Sequence, residues 1–133
     1  MSRTERQRLG DDAEAAIARR LIAGGWRILG RNVRVGRAEI DILGIDPRGG
    51  GTLAAVEVRW RGRRDFGFAE ETVDWRKRRR IWTAVAALVE AGCLADGTLL
   101  PSLPLRLDVV AVEPDSGAAD GIRVRHHRGV GLR

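Results

Sequence analysis

The segment AEIDILGIDPRGGGTLAAVEVRW, residues 38–60, decides the fold of this 133-residue chain. Two runs rich in Ile, Leu and Val, at 38–45 and 53–60, flank the sequence DPRGGGT at 46–52, whose Asp, Pro and Gly residues favour a turn. The pattern predicts two β-strands that are joined as an antiparallel hairpin. Both strands are apolar enough to lie in the centre of a sheet.

The register of this hairpin follows from the position of its turn. Facing residues of a hairpin lie at equal distances from the centre of the turn, and the centre here is Gly49. This register places Asp41 opposite Glu57 and Glu39 opposite Arg59. The first pair brings two carboxylates together, whereas the second pair is complementary in charge.

Outward from the hairpin, apolar periodicity and turn residues predict the remaining elements. Residues 1–10 are polar and are predicted as a flexible basic arm, and residues 11–133 are predicted to form a single domain. The order of elements predicts an α/β fold with a mixed central sheet flanked by helices. The predicted elements are a helix at 11–22 capped by Asp11 or Asp12, strands at 26–35, 38–45 and 53–60, a helix at 70–91, and strands at 105–112 and 122–126.

The facing carboxylates of Asp41 and Glu57 need an explanation, because like charges directly opposite on a sheet destabilise it. The flanking Ile and Val residues indicate that water solvates this position poorly. A bound divalent cation would remove the electrostatic cost, and Mg²⁺ commonly takes one or two protein carboxylates. The alternative is an offset turn that leaves both carboxylates on a solvated edge.

Glu14 is a third carboxylate in an unexpected position. Ile17 and Leu21 lie three and seven positions after it, so Glu14 falls on the apolar stripe of the first helix. Either it belongs to a functional site, or it lies in the first helical turn, where the helix dipole favours a negative charge.

Lys77 is the corresponding cation of the second helix. Val73 and Ile81 lie four positions on either side of it, so its stem lies on the stripe that faces the core. Its ammonium group either extends to the edge of the helix or reaches an anion beside the sheet.

The charge of the chain favours a polyanionic partner. Lys and Arg number 24 against 18 Asp and Glu, which gives a formal net charge of +6. A coding bias toward Arg explains the choice of Arg over Lys but not the net charge. The basic loop at 61–64 and the helix start at 76–80 either are solvated surface or contact phosphate, and the residues predicted to bind nucleic acid are Arg61, Arg63, Arg64, Arg76, Lys77, Arg78, Arg79 and Arg80.

Several classes of protein are disfavoured by the sequence. The N-terminal residues have no apolar signal-peptide core, and no apolar run is long enough to cross a bilayer, so we expect a cytoplasmic protein with no membrane partner. The single cysteine, Cys93, is not expected to form a disulfide or a zinc cluster. His126 and His127 are adjacent on a predicted strand and face opposite sides, which favours packing or a hydrogen-bonded strand end.

The motifs together resemble the YraN family of bacterial proteins, which is similar to archaeal Holliday-junction resolvases and to the PD-(D/E)XK, or restriction-endonuclease-like, superfamily. The resemblance covers the chain from Leu9 onward. It rests on LGDDAEAAIARRLIAGGWRILGRN (9–32), AEIDIL (38–43), VEVRWR (56–61), DFG followed by Val73 and Lys77, RLDVVAV (106–112) and HHRGVG (126–131). It implies a restriction-endonuclease-like αβββαβ core.

The resemblance also implies roles for individual residues. Glu14, Asp41 and Glu57 correspond to the catalytic carboxylates that hold a metal ion, Mg²⁺ or Mn²⁺. Arg59 stands where the motif usually has Lys, and so is expected to be a catalytic charge stabiliser. Arg can supply positive charge but cannot accept a proton at neutral pH.

Three functions remain open from the sequence. The leading hypothesis is an Mg-dependent phosphodiesterase, an endonuclease acting on DNA with branched or single-stranded structure. The alternative is a non-catalytic nucleic-acid-binding module that has lost activity through Arg59. A third hypothesis is a domain whose basic face binds an acidic protein. Cleavage of both strands of a junction would require a homodimer.

Overall fold

The computed structural model describes residues 3–61 and 75–130. The predicted basic loop residues Arg63 and Arg64 therefore lie outside the described residues. The elements in chain order are α1 (Arg3–Ala23), β1 (Arg27–Val35), β2 (Ala38–Asp46), β3 (Thr52–Trp60), α2 (Trp75–Ala91), β4 (Leu105–Pro114) and β5 (Ile122–His127). This order contains the predicted αβββαβ core, and the α/β fold class is confirmed.

The first helix begins earlier than predicted. It starts at Arg3 rather than at Asp11 or Asp12, so residues 3–10 are helical and do not form the predicted flexible arm. This segment is rich in Arg, Glu, Gln and Leu, which have high helix propensity. Glu5 in the first turn adds a favourable interaction with the positive end of the helix dipole.

The end of the first helix agrees with the prediction. Gly25 has φ 93°, a left-handed conformation that glycine adopts without steric cost. The N–H of Trp26 donates to the carbonyl oxygen of Leu21 at 2.9 Å, and the N–H of Gly25 donates to that of Ile22 at 3.0 Å. These two bonds form a Schellman motif, which satisfies carbonyl groups that the helix leaves without partners.

The five strands form one mixed sheet in the order β1-β2-β3-β4-β5. The pair β3 and β4 is parallel and is connected through α2, whereas the other neighbouring pairs are antiparallel. The ladder between β2 and β3 runs from Ile42 opposite Val56 to Asp46 opposite Thr52. This is the register of a turn centred on Gly49, as predicted.

The core has one layer on each face of the sheet. Ile17 and Leu21 of α1 pack on one face against residues that include Val56 and Val110. On the other face, Ile81, Val85 and Leu88 of α2 pack against residues that include Leu53 and Leu107. The central strand β3 is therefore covered on both faces, which explains its nearly continuous run of apolar residues.

In the described ranges 3–61 and 75–130, no helix is both long enough and apolar enough to cross a membrane.

Candidate functional site

A cavity of about 300 Å³ lies beside the end of the β2–β3 ladder. It brings together all four residues that the sequence predicted as catalytic, and Lys77 as well. The five residues come from α1, β2, β3 and α2, and they are Glu14, Asp41, Glu57, Arg59 and Lys77. The predicted site residues are thus neighbours in space although they span 64 positions of the sequence, from 14 to 77.

The backbone of β2 changes its orientation at Asp41. Ile40 packs in the core layer of α2, whereas Ile42 packs in the layer of α1, although residues two apart on a regular strand share a face. The carboxylate of Asp41 accepts a hydrogen bond from the backbone N–H of Val58 at 2.8 Å. Asp41 therefore lies where groups from both faces of the sheet meet.

A hydrogen bond joins the carboxyl groups of Asp41 and Glu14. Burial and the charge of Glu57 raise the pKa of Asp41 to about 9, against a lowering effect of the bond from Val58. Burial also raises the pKa of Glu14, although the bond to Asp41 opposes this effect. A hydrogen bond between two carboxyl groups requires a proton on one of them, and the raised pKa of Asp41 keeps that proton in the folded protein at neutral pH.

Glu57 is buried, with 3% of its surface exposed, and is compensated by two cations. Lys77 Nζ lies 2.6 Å from Glu57 Oε1, and Arg59 Nη2 lies 3.4 Å from the same oxygen. The helical spacing predicted that the stem of Lys77 faces the core, and of the two predicted positions for its ammonium group, the structure has the one in contact with an anion beside the sheet. Its ammonium group does not simply extend into solvent.

Arg59 retains an unused donor beside this carboxylate. Its Nε is buried and has no hydrogen-bond partner within the described part of the chain. A buried N–H group without a partner is costly, so a ligand oxygen that enters the cavity would gain a hydrogen bond there.

The hydrogen-bonded ladder between β2 and β3 does not include the predicted pairing of Glu39 with Arg59. Glu39 lies opposite Arg34 on β1, and Arg34 Nε lies 3.3 Å from Glu39 Oε2. The β2–β3 ladder ends at Ile42 opposite Val56, so the predicted pairing of Asp41 with Glu57 also lies beyond it. Arg59 instead pairs with Glu57 on its own strand.

Comparison with known proteins identifies the same family by a family profile and by individual relatives. A profile described as "Uncharacterised protein family UPF0102" matches residues 13–112, which include the five cavity residues. A UPF0102 protein of Pseudomonas syringae pv. tomato is 37% identical over 123 residues, covering 92% of this chain and 89% of that protein. The chain belongs to the UPF0102 family.

Other UPF0102 proteins match over most of their length. One from Symbiobacterium thermophilum is 41% identical over 108 residues, which is 81% of this chain and 84% of that protein. One from Roseiflexus castenholzii is 40% identical over 107 residues, or 80% of each. The resemblance to the YraN family that the sequence motifs indicated is thereby confirmed.

The carboxyl groups of this cavity have the oxygen donors that a divalent cation needs, but they do not surround a cation position as they stand. Carboxylate oxygens are the donors that Mg²⁺ and Mn²⁺ prefer, and the raised pKa of Asp41 reflects its burial and the nearby charge of Glu57. Within 3–61 and 75–130, however, no three His, Cys, Asp or Glu side chains form a group that could hold a metal ion as they stand. The donor set therefore fits a cation only after its side chains rearrange.

The residues predicted to bind nucleic acid lie in different environments. Arg76, Arg79 and Arg80 are exposed at the start of α2, whereas Arg61 and Arg78 are partly buried. Lys77 lies in the carboxylate cavity and forms its ion pair with Glu57. The exposed arginines thus present positive charge close to the acidic site.

A second polar cluster of the UPF0102 fold was not recognised from the sequence. Asp108 is fully buried and accepts hydrogen bonds from Arg106 Nε at 2.7 Å and from the backbone N–H of Gly129 at 3.0 Å. His126 Nε2 lies 2.8 Å from the other oxygen of Asp108, and Arg106 Nη2 also lies 2.8 Å from the buried carboxylate of Asp46. Alternation on β4 places both Arg106 and Asp108 on one face, which was the signal available.

Proposed function

We propose that this UPF0102 protein is a divalent-cation-dependent phosphodiesterase that binds DNA and cleaves its backbone at the carboxylate cavity. The observation that carries the proposal is the meeting of Asp41, Glu57 and Lys77 in one cavity, next to exposed arginines of α2. Buried acidic groups and a lysine in one cleft are unusual for a purely structural site. They are the groups that phosphodiester hydrolysis uses.

Asp41 and Glu57 are the residues proposed to hold Mg²⁺ or Mn²⁺, with Glu14 as a further acidic group beside them. Bound there, the cation would activate a water molecule and neutralise charge on the phosphate. Asp41 has to lose its proton before its oxygens can bind a cation. The hydrogen bond from the Val58 N–H to Asp41 Oδ2 fixes the orientation of the carboxylate.

Lys77 and Arg59 are proposed to stabilise the negative charge that develops on the phosphate. The cationic groups of both side chains lie within 3.4 Å of the same oxygen of Glu57, Oε1. Donors held in place in this way lower the barrier without further reorganisation. Lys77 provides the amine that the motif position itself lacks, since Arg59 stands there.

The direct test is incubation of the purified protein with labelled duplex, single-stranded, flap and four-way DNA in Mg²⁺, Mn²⁺ or EDTA. We expect cleavage that requires a divalent cation and is lost in Asp41→Asn. The variant Asp12→Asn removes an exposed carboxylate two positions before Glu14 and serves as the matched control. Cleavage of equal rate in EDTA would contradict the proposal.

A non-catalytic nucleic-acid-binding module is the second candidate, and Arg59 and the ion pairs of Glu57 favour it. Lys77 and Arg59 already neutralise Glu57, so the cavity is stable without a cation. For this candidate, the parent protein binds DNA without cutting it, and Arg59→Lys creates cleavage because a buried Lys can lose its proton. A parent and an Arg59→Lys variant that are both inert while binding DNA tightly would contradict the proposed cleavage and would show that Arg59 is not the reason that activity is absent.

Homodimer formation is proposed only for cleavage of a four-way junction. Two strands of opposite polarity would then need two centres related by a two-fold axis. Sedimentation of the protein with and without junction DNA tests this, and a monomer that cuts both strands would contradict it.

A further inference from the structure

A second groove lies beside the carboxylate site. It has a volume of about 650 Å³ and runs between the turn of the β1–β2 hairpin, at Val35–Ala38, and one face of α2 from Arg76 to Ala87. Buried or half-buried small residues form its base, among them Ala38 and Ala84. Exposed arginines form its edges. The size is in the range of about 300–1,000 Å³ that holds small organic ligands.

This groove continues into the site. A smaller cavity of about 270 Å³ shares Arg37, Ala38 and Arg80 with the groove. The same cavity shares Asp41, Glu57 and Lys77 with the carboxylate site. A polymer lying in the groove would therefore extend directly to the acidic residues.

We propose that the groove binds an unpaired nucleic-acid strand and positions it at the carboxylate site. This inference rests on the proposed function and names its substrate class, which is single-stranded DNA or the unpaired arm of a branched structure.

The combination of groups in the groove selects an unpaired strand over a duplex. Arg37, Arg79 and Arg80 are exposed and match the negative charge of phosphates. The apolar residues at the bottom of the groove can contact nucleobases and sugars, and the faces of the nucleobases are accessible only when the strand is unpaired. Arg guanidinium planes also stack on nucleobases. A duplex stacks its bases internally and would leave the apolar base of the groove uncovered.

Two adjacent alanines of α2 allow a matched test. Ala87 lines the groove, whereas Ala86 does not, and both are exposed. The variants Ala87→Glu and Ala86→Glu add the same charge to the same turn of the helix, one inside and one outside the groove. Affinity for a labelled single-stranded oligonucleotide and for a duplex of equal length is measured by fluorescence anisotropy in EDTA, which prevents cleavage.

We expect the parent to bind the single strand more tightly than the duplex. Ala87→Glu should weaken single-strand binding at least about tenfold, which corresponds to ~1.4 kcal/mol, while Ala86→Glu should weaken it by less than about threefold. Poly-glutamate of equal charge should compete poorly, because it lacks bases to fill the apolar part of the groove.

The failure of this inference differs from failure of the proposed function. Equal losses in the two variants, tighter binding of the duplex, or full competition by poly-glutamate would overturn the groove assignment while DNA binding stands. A parent that binds no nucleic acid at low salt would overturn both proposals.

Discussion

Lys77 Nζ, on a helix, lies 2.6 Å from Glu57 Oε1, on the central strand of the sheet. The motif that residues 56–61 resemble usually has a lysine two residues after its glutamate, at the position where this chain has Arg59. The structure thus supplies an amine to the carboxylate from a different element. We propose that Lys77 supplies the amine that is missing at position 59.

The first prediction concerns Lys77. Substitution by Met retains the apolar stem but removes the ammonium group, and we expect cation-dependent cleavage to fall about 10²–10³-fold because one preorganised charge is lost. DNA affinity should change by less than about threefold, since an isolated phosphate contact contributes little. Single-turnover rates and anisotropy measure the two effects separately.

Arg19→Met is the control for this prediction. Arg19 is exposed on α1 and does not line the site cavity or the groove, so the variant loses the same charge elsewhere. A Lys77→Met variant that cleaves as fast as Arg19→Met would show that the ammonium group has no part in the reaction.

The second prediction is a pH dependence that Asp41 causes. Burial and the charge of Glu57 raise its pKa from 3.8 to about 9, so the folded protein holds a proton that the unfolded chain releases. The free energy of unfolding should therefore decrease as pH rises through this window, with a slope of at most about 1.4 kcal/mol per pH unit. Urea unfolding at several pH values between 6 and 9 measures it.

Asp41→Asn removes this titration without removing the hydrogen bond, because an amide oxygen still accepts from the Val58 N–H. We expect the variant to be more stable than the parent in the absence of cations, by a margin that grows with pH. A parent and a variant with parallel pH profiles would show that Asp41 titrates normally.

The third prediction is that DNA affinity depends steeply on salt. The exposed arginines at the start of α2 and beside the groove would neutralise phosphates and release counterions. The logarithm of the association constant should fall with the logarithm of salt concentration, by about 0.9 per phosphate neutralised on duplex and about 0.7 on a single strand. Anisotropy titrations from low to moderate salt give the slope, and affinity that does not change with salt would exclude phosphate contacts.

The fourth prediction concerns the contribution to stability of Asp108, which does not line the carboxylate cavity. Burial opposes its charge, but hydrogen bonds from His126 and Arg106 outweigh that effect and hold its pKa below the usual value. Asp108→Ala should cost about 3–5 kcal/mol of unfolding free energy, since it leaves buried donors without their acceptor. Because the pKa is lowered, this contribution is present at neutral pH and is lost as pH falls below the value of an unfolded Asp.

Glu113→Ala on the same strand is the comparison for Asp108. Glu113 pairs with Arg123 and Arg125 at a partly exposed position, so its loss should cost less than about 1 kcal/mol. Thermal or urea unfolding of both variants decides the matter, and similar small losses would show that the Asp108 cluster has no special role in the fold.

The sequence predicted most of the elements because local patterns determine them. The turn centred on Gly49 determines the ladder from Ile42 to Asp46, and glycine determines the end of α1 at Gly25. The start of α1 could not be predicted from its cap, because residues 3–10 have enough helix propensity to extend it. Glycine thus indicated where α1 ends, whereas a capping residue alone did not indicate where it starts.

The residues of the candidate site could be predicted from the sequence, but the contacts between them could not. Periodicity placed Glu14 and Lys77 toward the core, and the hairpin register placed Asp41 near Glu57. The change of orientation at Asp41 and the pairing of Glu39 with Arg34 depend on the packing of β1 and both helices against β2. Such tertiary contacts have no local sequence signal.

The most direct test of the central claim is calorimetric titration of the protein with Mn²⁺ at pH 7 and pH 8.5. If Asp41 and Glu57 hold the cation, Mn²⁺ binds with release of a proton and binds more tightly at the higher pH, because Asp41 must be deprotonated first. Asp41→Asn should abolish this binding, while Asp12→Asn should leave it unchanged. Equal binding of Mn²⁺ by the parent and Asp41→Asn, or no binding by the parent at either pH, would contradict the account.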